Sequence, residues 1–101
     1  VNRAEVEQLA SSNRAGLRQL ACQLIAHFQS GRDIDQLVRL AKDPQAGVRI
    51  EAFQALGQLK PIEEKETVMA IARQGMKDPN SEAALSAGWL LALYAPLEGQ
   101  R

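Results

Sequence analysis

The chain holds one histidine and one cysteine, His27 and Cys22, and any nucleophilic or metal chemistry would have to begin with them. On a helix, five residues of separation turn two side chains about 140° apart, so this pair does not converge on one atom. The structural reading suits each residue better. Cys22 is a small core residue, and His27 lies near a helix C-terminus, where positive charge is favoured. Zinc needs about four converging ligands, and no spaced Cys or His supplies them. Glu63, Glu64 and Glu66 form an acidic cluster. Paired carboxylates can do acid–base work, but these fall in the first turn of a helix beginning near Ile62, where negative charge offsets the helix dipole. The glycines are dispersed singly, without a phosphate-cradling loop or a nucleophile elbow. The expectation is therefore a non-enzyme with no cofactor, no metal site and no small-molecule substrate.

Composition points the same way. At 101 residues there is room for one modest core. Apolar residues at 46% and charged residues at 24% are the balance of a folded globular chain. Lys plus Arg and Asp plus Glu number 12 each, so no strong field draws in nucleic acid or anionic lipid. The longest apolar run, Trp89 to Ala95, is far short of the roughly 20 residues that span a bilayer. No signal-peptide pattern opens the sequence, and one cysteine agrees with a reducing compartment, so a cytoplasmic location is expected. Val1 in place of an initiator Met points to processing or to a longer parent chain.

Strand signals are nearly absent and helix signals are dense. Asp43-Pro44 and Asp78-Pro79 each place a capping side chain before a proline at the first helical position. Ser12 can cap a third helix, while Ser30-Gly31 and Lys60-Pro61 mark turns. After Asp43, the positions Val48, Ala52, Ala55, Leu56 and Leu59 fall on one face of a helix that should be buried. Six short helices are expected, near residues 3–10, 13–29, 33–42, 44–59, 62–77 and 79–94.

The sequence also matches itself. A shift of 35 lays Lys42-Asp43-Pro44 on Lys77-Asp78-Pro79, Ala52 on Ala87 and Leu56 on Leu91. A shift of 31 lays Ala15-Gly16-Leu17-Arg18 on Ala46-Gly47-Val48-Arg49 and Ala21 on Ala52. Three units follow, roughly 1–30, 31–60 and 61–95, with a tail at 96–101. The stretch Asp43-Pro44-Gln45-Ala46-Gly47-Val48-Arg49, followed by Ala52 and Ala55-Leu56-Gly57, resembles the second helix of a HEAT repeat. Its period is similar to the short bacterial type found in phycobilisome lyases. That resemblance implies an all-α fold, a short right-handed α-solenoid of about three helical hairpins. It also implies a ladder in which Asp43 and Asp78 pair with Arg18 and Arg49 within and between units. Two positions depart from the pattern, with Ser12 standing where the first Asp would be and Ala84 where the last Arg would be. A tetratricopeptide array has nearly the same period, but its Trp-Leu-Gly-Tyr spacing is missing and the Asp-Pro pairs lie inside each hairpin.

One hairpin cannot bury its apolar face alone, so the units must stack, and small residues such as Ala52 and Ala87 allow close approach. Within Ala83 to Tyr94, however, Leu85, Trp89, Leu90, Leu91, Leu93 and Tyr94 surround nearly the whole helix. A helix apolar all round needs cover on every side. Leu85, Trp89, Leu93 and Tyr94 are therefore candidates to meet a partner protein, a second copy or further repeats, the alternative being that Trp89 and Leu93 fold back on the helix from Ile62 to Lys77. Ile50, Phe53 and Gly57 lie opposite the main core face of their helix, as unit-to-unit packing or as an exposed docking stripe. Arg14, Arg18, Arg39, Lys42 and Arg49 could form a basic strip of the kind used by HEAT-fold proteins that cradle DNA. Three functions remain open: a protein-interaction scaffold, an accessory subunit of an enzyme complex in a lyase-like or chaperone role, and a nucleic-acid-binding module.

Overall fold

The computed structural model describes residues 3–29 and 31–98. Among them lie six α-helices and no strand: α1 (Arg3–Ala10), α2 (Ala15–His27), α3 (Ile34–Leu40), α4 (Ala46–Leu59), α5 (Lys65–Gly75) and α6 (Ser81–Glu98). A 3-10 turn, Gly31–Asp33, leads into α3. The helices pair in chain order as α1 with α2, α3 with α4, and α5 with α6. The second helices then pack side by side, α2 on α4 and α4 on α6. The result is a short all-α repeat stack of 42 × 28 × 17 Å.

Three aligned alanines explain the close row. Ala21, Ala52 and Ala87 are all fully buried; lacking bulk beyond Cβ, they let neighbouring helices approach. The expected inner face of α4 is inside, with Val48, Ala52, Ala55 and Leu56 buried and Leu59 packed against the same core. That core is continuous from Val6 in α1 to Tyr94 in α6.

Each second helix begins later than the sequence reading places it, and for one physical reason. Asp43 Oδ1 accepts a hydrogen bond from the Gln45 amide at 2.9 Å. Asp78 Oδ1 does the same for Asn80 at 2.9 Å, and Ser12 Oγ for Arg14 at 3.1 Å. A side chain that bonds its own backbone two residues on makes an Asx or Ser/Thr turn, not a helix cap. Pro44 and Pro79 lie inside those turns. The residue before α4 is Gln45, with extended backbone. At α6 the capping bond comes from Asn80, whose Oδ1 accepts from the Ala83 amide at 3.0 Å. At its other end α6 continues through Pro96 to Glu98, past the expected stop at Tyr94. Pro96 has no amide hydrogen to give, so the helix runs on past it without the backbone bond that this position would otherwise make to Ala92 O. Residues 99–101 of the expected tail lie outside the described residues.

Lys60 closes α4 in the left-handed region, with φ 46° and ψ 59°, and its amide donates to Leu56 O at 2.7 Å. That conformation is strained for any residue with a Cβ and free for glycine. Lys60→Gly is expected to raise unfolding free energy by about 0.5–1 kcal/mol, the relieved strain less the extra chain entropy of glycine. Chemical denaturation would check this, and an unchanged or lower midpoint would contradict it.

Candidate functional site

Three of the arginines that could have formed a basic strip, Arg18, Arg39 and Arg49, are engaged elsewhere. Arg18 of α2 grips Asp43 with two bonds, Nε to Oδ2 at 2.7 Å and Nη2 to Oδ1 at 3.0 Å. Its Nη1 reaches back to Ser12 O at 2.9 Å. Arg49 of α4 repeats the device one unit later, with Nε to Asp78 Oδ2 at 2.6 Å and Nη2 to Oδ1 at 2.8 Å. Its Nη1 donates to Asp43 O at 2.8 Å and to Pro44 O at 3.1 Å. Each arginine therefore holds the turn that starts its own helix and the carboxylate that starts the next. Two-pronged guanidinium–carboxylate bonds fix geometry as well as charge. The bond to Asp43 raises the Arg18 pKa, and the bond to Asp78 raises that of Arg49. Hydrogen bonding from Arg49 in turn lowers the Asp78 carboxyl below its usual value. In α6 the position equivalent to the arginines is Ala84, so α6 has no guanidinium to continue the series. Arg39 lies on α3, among the first helices, and donates to Gln36 and to Ala10 O. Arg18 and Arg49 are thus drawn into the ladder and Arg39 lies on a first helix, so these three do not line up on the surface of the second helices.

The chemistry-bearing pair does not assemble either. Cys22 is fully buried, and desolvation pushes its thiol up to about 12, with Glu51 and Asp43 adding in the same direction. A thiol so placed is not a nucleophile. His27 is exposed at the end of α2, with its ring edge-to-face on Phe28 at 4.7 Å. Among the described residues no three of His, Cys, Asp and Glu gather as metal ligands, and no helix is long and apolar enough to cross a membrane.

The open apolar feature is a groove between α4 and α6. Those two helices run in the same direction: Arg49 meets Asp78 near their starts, and Gly57 meets Trp89 further along. From α6 come Leu85, 75% exposed, and Trp89, 47% exposed, with Leu93 beyond them. From α4 come Gln54, Gly57 and Gln58. The space they enclose is about 680 Å³. Gly57 is required by this arrangement. A Cβ there would run into the six-membered ring of Trp89 and stand 3.1 Å from Leu93 Cδ1. The six-membered ring thus lies against bare α4 backbone at Gly57, while about half of Trp89 stays in solvent, 47% by exposure. Trp89 and Leu93 lean on α4 here, and not on α5 as the fold-back alternative had it.

Of the residues expected to dock a partner, Leu85 and Trp89 are exposed, while Leu93 and Ile50 are half-buried. Two are corrected by the structure. Phe53 is 1% exposed, because its ring turns onto the third hairpin: a Cβ built on Gly75 would stand 2.6 Å from Phe53 Cζ and 2.8 Å from the Ala87 Cβ. It packs unit against unit and is no docking stripe. Tyr94 is fully buried, with its hydroxyl donating to Pro61 O at 2.8 Å. Burial, with a smaller contribution from Glu64, pushes that phenol up to about 12. Gln54 and Gln58 were missed as lining residues, although their spacing of one helical turn was available to place both on one face.

A second groove, of about 430 Å³, lies between α2 and α4 and includes Leu20, Gln23, His27 and Glu51. Gln54 and Gln58 border both grooves, so the second helices present one continuous ridged surface.

Comparison with known proteins gives a match to the family described as HEAT repeats over residues 4–92. No curated protein matches the chain.

Proposed function

The chain belongs to the HEAT-repeat family, and from that premise we propose that it is a non-catalytic protein-binding module whose docking surface is the α4–α6 groove. The observation that carries this reading is the pairing of Leu85 and Trp89, large apolar side chains left in water beside a concave space already shaped by Gly57. Removing apolar area from water contributes about 25 cal/mol per Å², and aromatic side chains in preformed concavities are frequent anchors of binding energy. An accessory role beside a catalytic subunit would use the same surface. Nucleic-acid binding has less support, because Arg18 and Arg49 are committed to Asp43 and Asp78.

Trp89 is the only tryptophan of the chain, so it reports on its own groove. A bound protein segment is expected to shift Trp89 emission to the blue and to protect it from acrylamide. Leu85→Ser, at a side chain 75% exposed, should weaken capture by roughly 1–2 kcal/mol, or five- to thirtyfold, while leaving the circular dichroism of the fold unchanged. Binding that left both emission and quenching of Trp89 untouched would rule out this surface.

A further inference from the structure

We infer that the face formed by α2, α4 and α6 receives an extended peptide of a partner protein, carrying a large apolar side chain and, about three residues away, a lysine or arginine. The inference rests on the protein-binding reading and adds the chemistry of what is bound.

Charge comes first. Among the described residues, the carboxylates lining the two grooves are Glu82 and Glu51, and no lysine or arginine lines either one. The chain as a whole is balanced, with 12 residues of each sign, so this face carries a local acidic bias that composition conceals. Part of the reason is the ladder, which draws Arg18 and Arg49 to the starts of the helices and neutralises them there. His27, at the far end of α2, and the buried Cys22 also line the second groove. A segment bearing ammonium or guanidinium groups is favoured on such a surface, whereas an acidic segment or a phosphate backbone is repelled.

Gln54 and Gln58 argue for an extended segment over a helical one. Both are exposed, and they form the ridge that the two grooves share. A carboxamide offers two donors and an acceptor, which matches the backbone N–H and C=O groups that an extended chain leaves unpaired. A bound helix would satisfy those groups internally. Spacing follows from packing. Neighbouring helices stand about 8–10 Å apart, so adjoining grooves are offset by about that distance. An extended chain advances roughly 3.3 Å per residue. A side chain seated on Trp89 and Leu85 is therefore about three residues from one that reaches Glu51.

A random dodecapeptide display library selected against the full 101-residue chain tests this. Selected peptides are expected to carry an apolar residue with Lys or Arg about three positions away. A synthetic peptide of that sequence should lose about two- to fivefold in affinity for the Glu51→Gln chain, the effect of one partly exposed ion pair. The same peptide with its basic residue replaced by Glu should bind more weakly still. Peptides whose binding requires Trp89 but which show no excess of basic over acidic residues, or no response to Glu51→Gln, would overturn the inference and leave the docking surface standing. Selection that is indifferent to Trp89→Ser, in a chain still helical by circular dichroism, would overturn the docking surface itself.

Discussion

Phe53→Ala is expected to cost about 3–5 kcal/mol of unfolding free energy, the usual penalty for emptying a buried phenylalanine site. Domains of this size are stable by only about 5–15 kcal/mol, so the variant should be near its unfolding threshold at physiological temperature. The size of the effect comes from where the ring lies. It projects from α4 onto Gly75 at the end of α5, close to Ala87 of α6, and so joins the second hairpin to the third. Gly75→Ala in the native chain drives a methyl group to within 2.6 Å of Phe53 Cζ and should itself cost about 1–3 kcal/mol through overpacking. In the Phe53→Ala background the clash with the ring is gone and only the approach to the Ala87 Cβ, at 2.8 Å, remains. The double variant is therefore expected to be less destabilised than the sum of the two single changes, with a coupling of about 1–2 kcal/mol. Urea unfolding of the four proteins measures it. Strict additivity would show that Phe53 and Gly75 do not share a packing site.

Asp78→Asn should destabilise the stack by about 1.5–3 kcal/mol at neutral pH, the usual range for hydrogen bonds to charged groups. The substitution breaks the ion pair with Arg49, whose side chain also holds Asp43 O and Pro44 O, so the loss is felt at the starts of both α4 and α6. The same carboxylate makes the effect depend on pH. Its folded pKa is lowered, first by the hydrogen bond from Arg49. A depressed carboxyl contributes stability that is fully present above its unfolded pKa of about 3.9 and is lost as pH falls through the lower folded value. Native chain and variant should accordingly differ most above about pH 5 and converge below about pH 4. A difference that stayed constant from pH 7 to pH 3 would mean that the ion pair contributes little.

Much of the stack was legible in the order of residues. The matches of Ala21 with Ala52 and of Ala52 with Ala87 identified the positions at which the second helices touch, because only small side chains permit that approach. Arg18, Arg49, Asp43 and Asp78 were singled out through the HEAT-repeat resemblance, and the structure joins them in two arginine–aspartate pairs. Less legible were the helix starts. Asp-Pro pairs serve helix caps and Asx turns equally well, and the choice is made by which backbone amide the carboxylate meets in space.

The composition of this chain decided that it would fold, and its helical periodicity decided that the product would be helices; its repeat decided that hairpins would follow one another. Those properties depend on spacing along one strand of chain, and spacing is written in the sequence. Tertiary structure alone decided that Phe53 and Tyr94 turn inward while Leu85 and Trp89 remain in water. α6 is apolar on nearly every side, so its own pattern could not say which side a neighbour would cover. The answer came from α4 and α5 filling two flanks of α6, and from the bare backbone of Gly57, on which the Trp89 ring lies with its outer part left open.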